Sequence, residues 1–178
     1  MDFYGFYTGK IFDAYKYLGA HTEKQGVTFR TFAPSASRIA LIGEFNDWQE
    51  WDLNKVSDGN FWECYVPQAK AGQMYKYRIY DRSGNAVEHC DPYGFGMELR
   101  PNSASIIRDM NEYKFKDSQW MQNRSDCRKK PLNIYEIHFG SFRKPSDKAD
   151  AWYNYEEMID ILIPYLTKMA TTILRSCR

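Results

Sequence analysis

Gln73-Met74-Tyr75-Lys76-Tyr77-Arg78-Ile79-Tyr80-Asp81 is the stretch that decides the fold. In an extended chain successive side chains point to opposite faces. Tyr75, Tyr77 and Ile79 then share one face, and Lys76, Arg78 and Tyr80 share the other. Turn signals bound the run, Lys70-Ala71-Gly72 before it and Ser83-Gly84-Asn85 after it. Working outward, further extended runs are predicted at Val27–Ala33, Arg38–Glu44, Phe61–Val66, Ala86–His89 and Ala104–Asp109. Pro34-Ser35 and Asp58-Gly59-Asn60 separate some of them. Trp62 alternates with Cys64 and Val66, which points it into a core. Short strands at this spacing predict a mainly β fold, an immunoglobulin-like antiparallel β-sandwich.

The flanks read differently. Ile11, Phe12, Tyr15 and Leu18 recur at helical spacing, which predicts a short helix over residues 8–19 ended by Gly19. Residues 110–131 are polar, carry six basic residues and end in Arg128-Lys129-Lys130-Pro131. They are expected to connect two domains, and Asp117 and Asp126 interrupt any basic nucleic-acid patch. Leu132–Phe139 then alternates again, with Tyr135, Ile137 and Phe139 as the apolar face. A helix should follow from an Asn154 N-cap with Glu157 three residues on. Met158, Ile161, Leu162, Tyr165, Leu166 and Met169 form its apolar stripe, and Pro164 should kink it. The expected divisions are a helical segment at 1–21, the sandwich at 22–110, a linker at 111–131 and a strand-helix unit at 132–178.

Composition narrows the classes of function. With 24 basic and 23 acidic residues the net charge is +1, which points to no nucleic-acid and no membrane partner. The apolar runs are too short to span a bilayer, and the N-terminus lacks a basic region followed by an apolar run. Cys64, Cys90, Cys127 and Cys177 are scattered, which favours reduced thiols in the cytoplasm over a disulfide framework or a zinc site. His21, His89 and His138 have no metal-ligand spacing and are expected to be structural, so no metal and no cofactor is expected. Aromatics make up 17% of the chain, more than a small core requires, which leaves room for a sugar-stacking surface.

Several motifs then converge on one family. Tyr17-Leu18-Gly19-Ala20-His21, Phe29-Arg30-Thr31-Phe32-Ala33-Pro34, Gly43-Glu44-Phe45-Asn46-Asp47-Trp48, Tyr75-Lys76-Tyr77, Asp91-Pro92-Tyr93, Leu99-Arg100-Pro101 and Ile134–Phe142 occur in that order. Together they resemble the front portion of bacterial-type 1,4-α-glucan (glycogen) branching enzymes. That portion is a glycogen-binding module followed by the start of a (β/α)8 barrel of the α-amylase family. The sandwich also resembles the glycogen-binding module of AMP-activated kinase β-subunits.

The resemblance implies weak α-1,4-glucan binding, glycogen or a maltooligosaccharide, through Trp48 and Lys76. Asn46 would either add an amide contact or hold its own turn. The kinase-type module has a second stacking tryptophan before its Asp-Pro turn. Here Gly84–Cys90 holds no aromatic, which lowers the expected affinity to the millimolar scale, about −4 kcal/mol. The parent reaction moves an α-1,4-glucan segment to a 6-hydroxyl with an aspartate and a glutamate on later barrel strands. Asp91 and Glu136 do not belong to those motifs, so no catalytic residue is expected in this chain. The alternative is a stand-alone glycan-binding or interdomain structural module.

The resemblance stops after Met169, where the family continues with glycine, an aromatic and a second strand ending in Leu-Pro. One coding of Ala170–Arg178, read with a single extra G in front, gives Gly-Tyr-Asn-Tyr-Ser-Glu-Val-Leu-Pro. The expectation is therefore a one-base frameshift over 170–178 and a truncated barrel. Strand and helix faces without barrel neighbours should remain exposed and favour a homodimer or a poorly ordered end.

Overall fold

The computed structural model describes residues 1–124, 131–146 and 151–177. It divides into two compact units, Met1–Lys114 and Phe115–Arg178. Of the expected linker, Asp126, Cys127 and Arg128-Lys129-Lys130 lie outside the described residues.

The first unit is the predicted sandwich. One sheet has the order β1 (Gly19–Thr22), β2 (Val27–Phe32), β6 (Phe61–Val66), β5 (Asn54–Val56). The other runs β4 (Trp51–Asp52), β3 (Arg38–Gly43), β7 (Met74–Tyr80), β8 (Ala86–His89), with β9 (Ser105–Ile106) also pairing β7. Every pairing in the two sheets is antiparallel. Alternation does what the sequence predicts. Val27, Phe29, Ile39, Leu41, Trp62, Cys64, Val66, Tyr75 and Tyr77 meet in a single core between the sheets. The Trp62 indole N–H donates to the Ala33 carbonyl at 3.1 Å, which satisfies its polar edge.

The amino-terminal expectation needs correction. No helix spans 8–19. Helix α1 is Phe3–Tyr7, capped by the Asp2 carboxylate, which accepts from the Gly5 N–H at 2.9 Å. A single 3-10 turn follows at Ala14–Lys16, and Gly19 opens β1 with φ +103°. The helical spacing misled because Phe12 is almost fully exposed whereas Leu18 is fully buried. The apolar face that counts is Phe3, Phe6 and Tyr7, whose rings meet Phe32 and Phe61 edge-on or tilted. Phe32 and Phe61 are partners in the β2–β6 register. Helix α1 therefore covers the outer surface of the first sheet around Phe32 and Phe61.

In the second unit, α2 is Ser118–Asn123, α3 is Phe139–Phe142 and α4 is Tyr155–Lys168. β10 (Ile134–His138) runs parallel to β11 (Ile173–Cys177) in the register Ile134↔Ile173 to His138↔Cys177. β11 arises from the tail that the sequence leaves off pattern. Ile137, Met158 and Leu162 are buried, with Tyr135, Phe139, Phe142, Ile161 and Leu166 packed around them. The Asn154 cap forms as expected. Its side chain accepts from the Glu157 N–H at 2.9 Å, and Glu157 reaches back to the Asn154 N–H at 2.8 Å.

The end of α4 carries a Schellman motif. Ala170 N–H donates to Thr167 O at 3.1 Å, and Thr171 N–H donates to Leu166 O at 3.0 Å. This geometry places Ala170 in the left-handed region, φ +51°, where glycine is normally found. A β-carbon there costs roughly 1–2 kcal/mol. Ala170→Gly should therefore stabilise the second unit by about 1 kcal/mol. A thermal or urea melt of the variant checks it; an unchanged or lower midpoint would count against this reading of the cap.

Candidate functional site

Trp48, Asn46 and Lys76 all lie on or next to the second sheet. Trp48 lies just beyond β3, after a 3-10 turn at Glu44–Asn46. Its N–H donates to Gly43 O at 2.9 Å, closing the turn. Asp47 and Trp48 both have positive φ, 52° and 57°. Two consecutive non-glycine residues in the left-handed region are strained, and a bulky side chain there is an outlier. The turn thereby holds the indole out of the core, with 40% of the residue exposed.

Asn46 holds this turn. Its Oδ1 accepts from the Gly43 N–H at 3.0 Å, and its Nδ2 donates to the carbonyls of Gln49 and Leu41. Of the two roles open in the sequence, these bonds are those of the second. The amide's donors and acceptor are already engaged by backbone.

Lys76 reaches the same end of the sheet from β7, where it lies opposite Ile42 in the register. Gly43, from which the Trp48 turn departs, pairs with Tyr75. The sheet register thus brings the turn and the lysine together although they are distant in sequence. Lys76 is half-buried, and Glu88 is its nearest acid, with Nζ 4.0 Å from the carboxylate. Trp51 lies on β4 opposite Leu41 and is partly exposed.

Beyond Lys76 the face carries an ion-pair network absent from the sequence-level site. Arg78 donates to Glu50 at 2.9 Å and to Glu88 at 2.6 Å. Arg38 donates to Glu50 and Asp52 at 2.7 and 2.8 Å. The Tyr80 hydroxyl also donates to Glu50. That bond, with those from Arg78 and Arg38, lowers the Glu50 pKa to about 2. The sharing of one face by Lys76, Arg78 and Tyr80 was legible from alternation. Their acidic partners come from other strands and loops, which alternation alone does not assign.

Asp91 is part of the core that fixes β7. Its Oδ2 accepts from the Tyr75 hydroxyl at 2.7 Å and the Tyr77 hydroxyl at 3.2 Å. Its Oδ1 accepts from the Tyr93 N–H at 2.8 Å. Burial nevertheless outweighs these donors and raises the Asp91 pKa. Glu136 lies on β10, 3.2 Å from the Arg175 guanidinium, and accepts from the Cys177 thiol. Among the described residues no group of three His, Cys, Asp or Glu is placed to hold a metal ion, and no helix is long and apolar enough to cross a membrane.

An immunoglobulin-type sandwich thus carries the Trp48 turn and Lys76 at one end of its β3–β7 pair. Residues 17–94 match the family described as carbohydrate-binding module 48 (isoamylase N-terminal domain). The chain is similar over 97% of its length to the 1,4-alpha-glucan branching enzyme of Fusobacterium nucleatum, with 38% identity. It is 37% identical to the corresponding enzyme of Geobacillus stearothermophilus over 97% of its length. It spans 28% of each of these relatives. Solved structures agree at the level of fold. A putative alpha amylase from Salmonella typhimurium matches 90% of this chain with TM-score 0.62 and 18% identity, and 24% of that protein is covered. The catalytic module of the glycogen-degrading pneumococcal protein SpuA matches 92% with TM-score 0.65 and 19% identity, and 27% of it is covered.

Proposed function

We propose that this chain is the glucan-holding front part of a 1,4-α-glucan branching enzyme, and that it binds α-1,4-glucan itself without transferring it. The observation that carries this reading is Trp48, strained at its backbone and exposed at its indole, on the turn that leaves the end of the β3–β7 pair from which Lys76 projects. A pyranose presents a C–H face that stacks on an aromatic plane, and the ammonium donates to its hydroxyls. Residues 132–177 contribute a parallel strand-helix-strand unit, which we assign to the start of a (β/α)8 barrel. Transfer does not fall to Asp91 or Glu136. The first is buried against two tyrosines and the second is paired with Arg175.

Trp48→Ala tests the site. Stacking of an aromatic on a nucleobase contributes about 1–3 kcal/mol, and a sugar ring belongs at the low end, so the variant should bind maltoheptaose about fivefold more weakly. Stability should be nearly unchanged, because the indole packs outside the core. Maltoheptaose titrated into isotopically labelled protein and followed by NMR reads millimolar binding directly. Equal affinity in wild type and Trp48→Ala would reject the site.

A further inference from the structure

The outer face of the second sheet holds a carboxylate with one oxygen bound and the other open, and this bears on the same site. Glu88 lies on β8 directly opposite Arg78. Its Oε1 accepts from Arg78 Nη2 at 2.6 Å, which fixes the carboxylate in place. Its Oε2 is 4.0 Å from Lys76 Nζ. A hydrogen bond between such groups spans about 2.7–3.2 Å, so this separation is an ion pair without a hydrogen bond. Among the described residues Lys76 makes no side-chain hydrogen bond. Glu50, by contrast, is engaged by Tyr80, Arg78 and Arg38. The gap between Lys76 and Glu88 thus pairs an unfilled donor with an unfilled acceptor, and Arg78 fixes the acceptor side.

We infer that Glu88 is a second ligand-binding residue of the Trp48–Lys76 site, and that one glucose hydroxyl seats between Lys76 and Glu88. This rests on the glucan-binding reading given above. The fit is stereochemical. A hydroxyl oxygen about 2.8 Å from both groups closes a triangle over the observed 4.0 Å gap. It accepts from the ammonium and donates its proton to the carboxylate, so both bonds are charge-assisted. Only a group that both donates and accepts satisfies the pair. A neutral, unsubstituted glucan qualifies. A phosphate ester at that position meets the Glu88 charge and is disfavoured.

The experiment compares maltoheptaose affinity by NMR titration of the labelled chain for wild type, Trp48→Ala, Glu88→Gln, Lys76→Met and the Lys76→Met/Glu88→Gln double variant. Glu88→Gln retains an oxygen for Arg78 and removes the charge that receives the hydroxyl proton. Its affinity should fall about threefold to tenfold. The double variant should bind more weakly than Lys76→Met alone, because Glu88 contacts the hydroxyl itself; a Glu88 that only positions Lys76 would add no loss once Lys76 is replaced. Thermal melts of each variant establish that all are folded. If Trp48→Ala weakens binding while Glu88→Gln binds as well as or better than wild type, Glu88 merely competes for Lys76 and the inference fails alone. A double variant that binds no more weakly than Lys76→Met overturns it equally. If the wild type shows no maltoheptaose-dependent shift, or Trp48→Ala matches it, the site reading fails and this inference falls with it.

Discussion

Replacing Asp91 with alanine should destabilise the sandwich by about 3–4 kcal/mol, since a buried hydroxyl deprived of its partner costs about 1–3 kcal/mol. The Asp91 carboxylate is buried and accepts from the hydroxyls of Tyr75 and Tyr77, both themselves fully buried. Alanine leaves both hydroxyls without that acceptor. It also removes the Oδ1 that takes the Tyr93 N–H, which tethers the segment after β8. Domains of this size are stable by roughly 5–15 kcal/mol and lose about 4–8 °C in midpoint per kcal/mol. The variant should therefore melt about 15–30 °C lower. Adding Tyr75→Phe and Tyr77→Phe to Asp91→Ala removes the stranded hydroxyls and should recover part of the loss. An Asp91→Ala midpoint within a few degrees of wild type would show that the network does not hold β7.

The same carboxylate gives a pH dependence of defined sign. Burial raises its folded pKa above the unfolded value. The folded module therefore binds the proton more tightly than the unfolded chain does. The stabilisation from this group is complete below its unfolded pKa, near 4. It is lost as pH rises through the folded value. Asp91→Asn should remove that dependence, which denaturant titrations across mildly acidic pH would show as a flatter stability profile.

Much of this architecture was legible in the sequence wherever one strand carried both an apolar and a polar face. β2, β3, β6 and β7 lie within or on the predicted runs, because Val27-x-Phe29, Ile39-x-Leu41, Trp62-x-Cys64 and Tyr75-x-Tyr77 each supply a core side at period two. β8 also falls on its predicted run, between turn signals, although it is exposed along its length. β4 and β5 were missed. They are two and three residues long and mostly exposed, so they carry no apolar alternation. β1 was missed because Gly19 is a helix-ending signal and a strand-opening residue alike, and only the antiparallel pairing with β2 decides. β11 was missed because Ile173–Cys177 has no buried face, and its pairing with β10 supplies what the pattern lacks.

The site was half legible. Trp48 and Lys76 follow from motif resemblance, and the structure places them at one end of the β3–β7 pair. Glu50 and Glu88 could not be assigned to the face from sequence. Their relation to Arg78 depends on a cross-strand register and a loop path. Asn46 shows the converse. Its residue type fits a sugar ligand, yet the turn geometry takes up its whole amide.

Gly43→Ala should break fold and site together. Gly43 is fully extended, φ −177° and ψ 179°, so its backbone conformation permits any residue. The obstacle is space. A β-carbon there would lie 2.7 Å from the Met74 carbonyl oxygen and 2.7 Å from the Phe45 ring. Met74 belongs to β7, and its N–H donates to the Glu44 carboxylate at 2.8 Å, so that carbonyl does not yield cheaply. Phe45 packs into the core against Phe29 at a centroid distance of 5.5 Å. Overpacking of this kind costs about 1–3 kcal/mol, and a backbone obstacle argues for the upper half of that range. The end of β3 must then separate from β7, where Gly43 accepts from Trp48 and donates to Asn46. The indole loses its support, and maltoheptaose affinity should fall at least as far as in Trp48→Ala. Trp48→Ala should lose binding and keep stability, whereas Gly43→Ala should lose both. Urea denaturation and the maltoheptaose titration measured on the same samples separate the two. A Gly43→Ala chain with wild-type midpoint and wild-type affinity would show that the turn's support lies elsewhere than in the close approach of β3 to Met74.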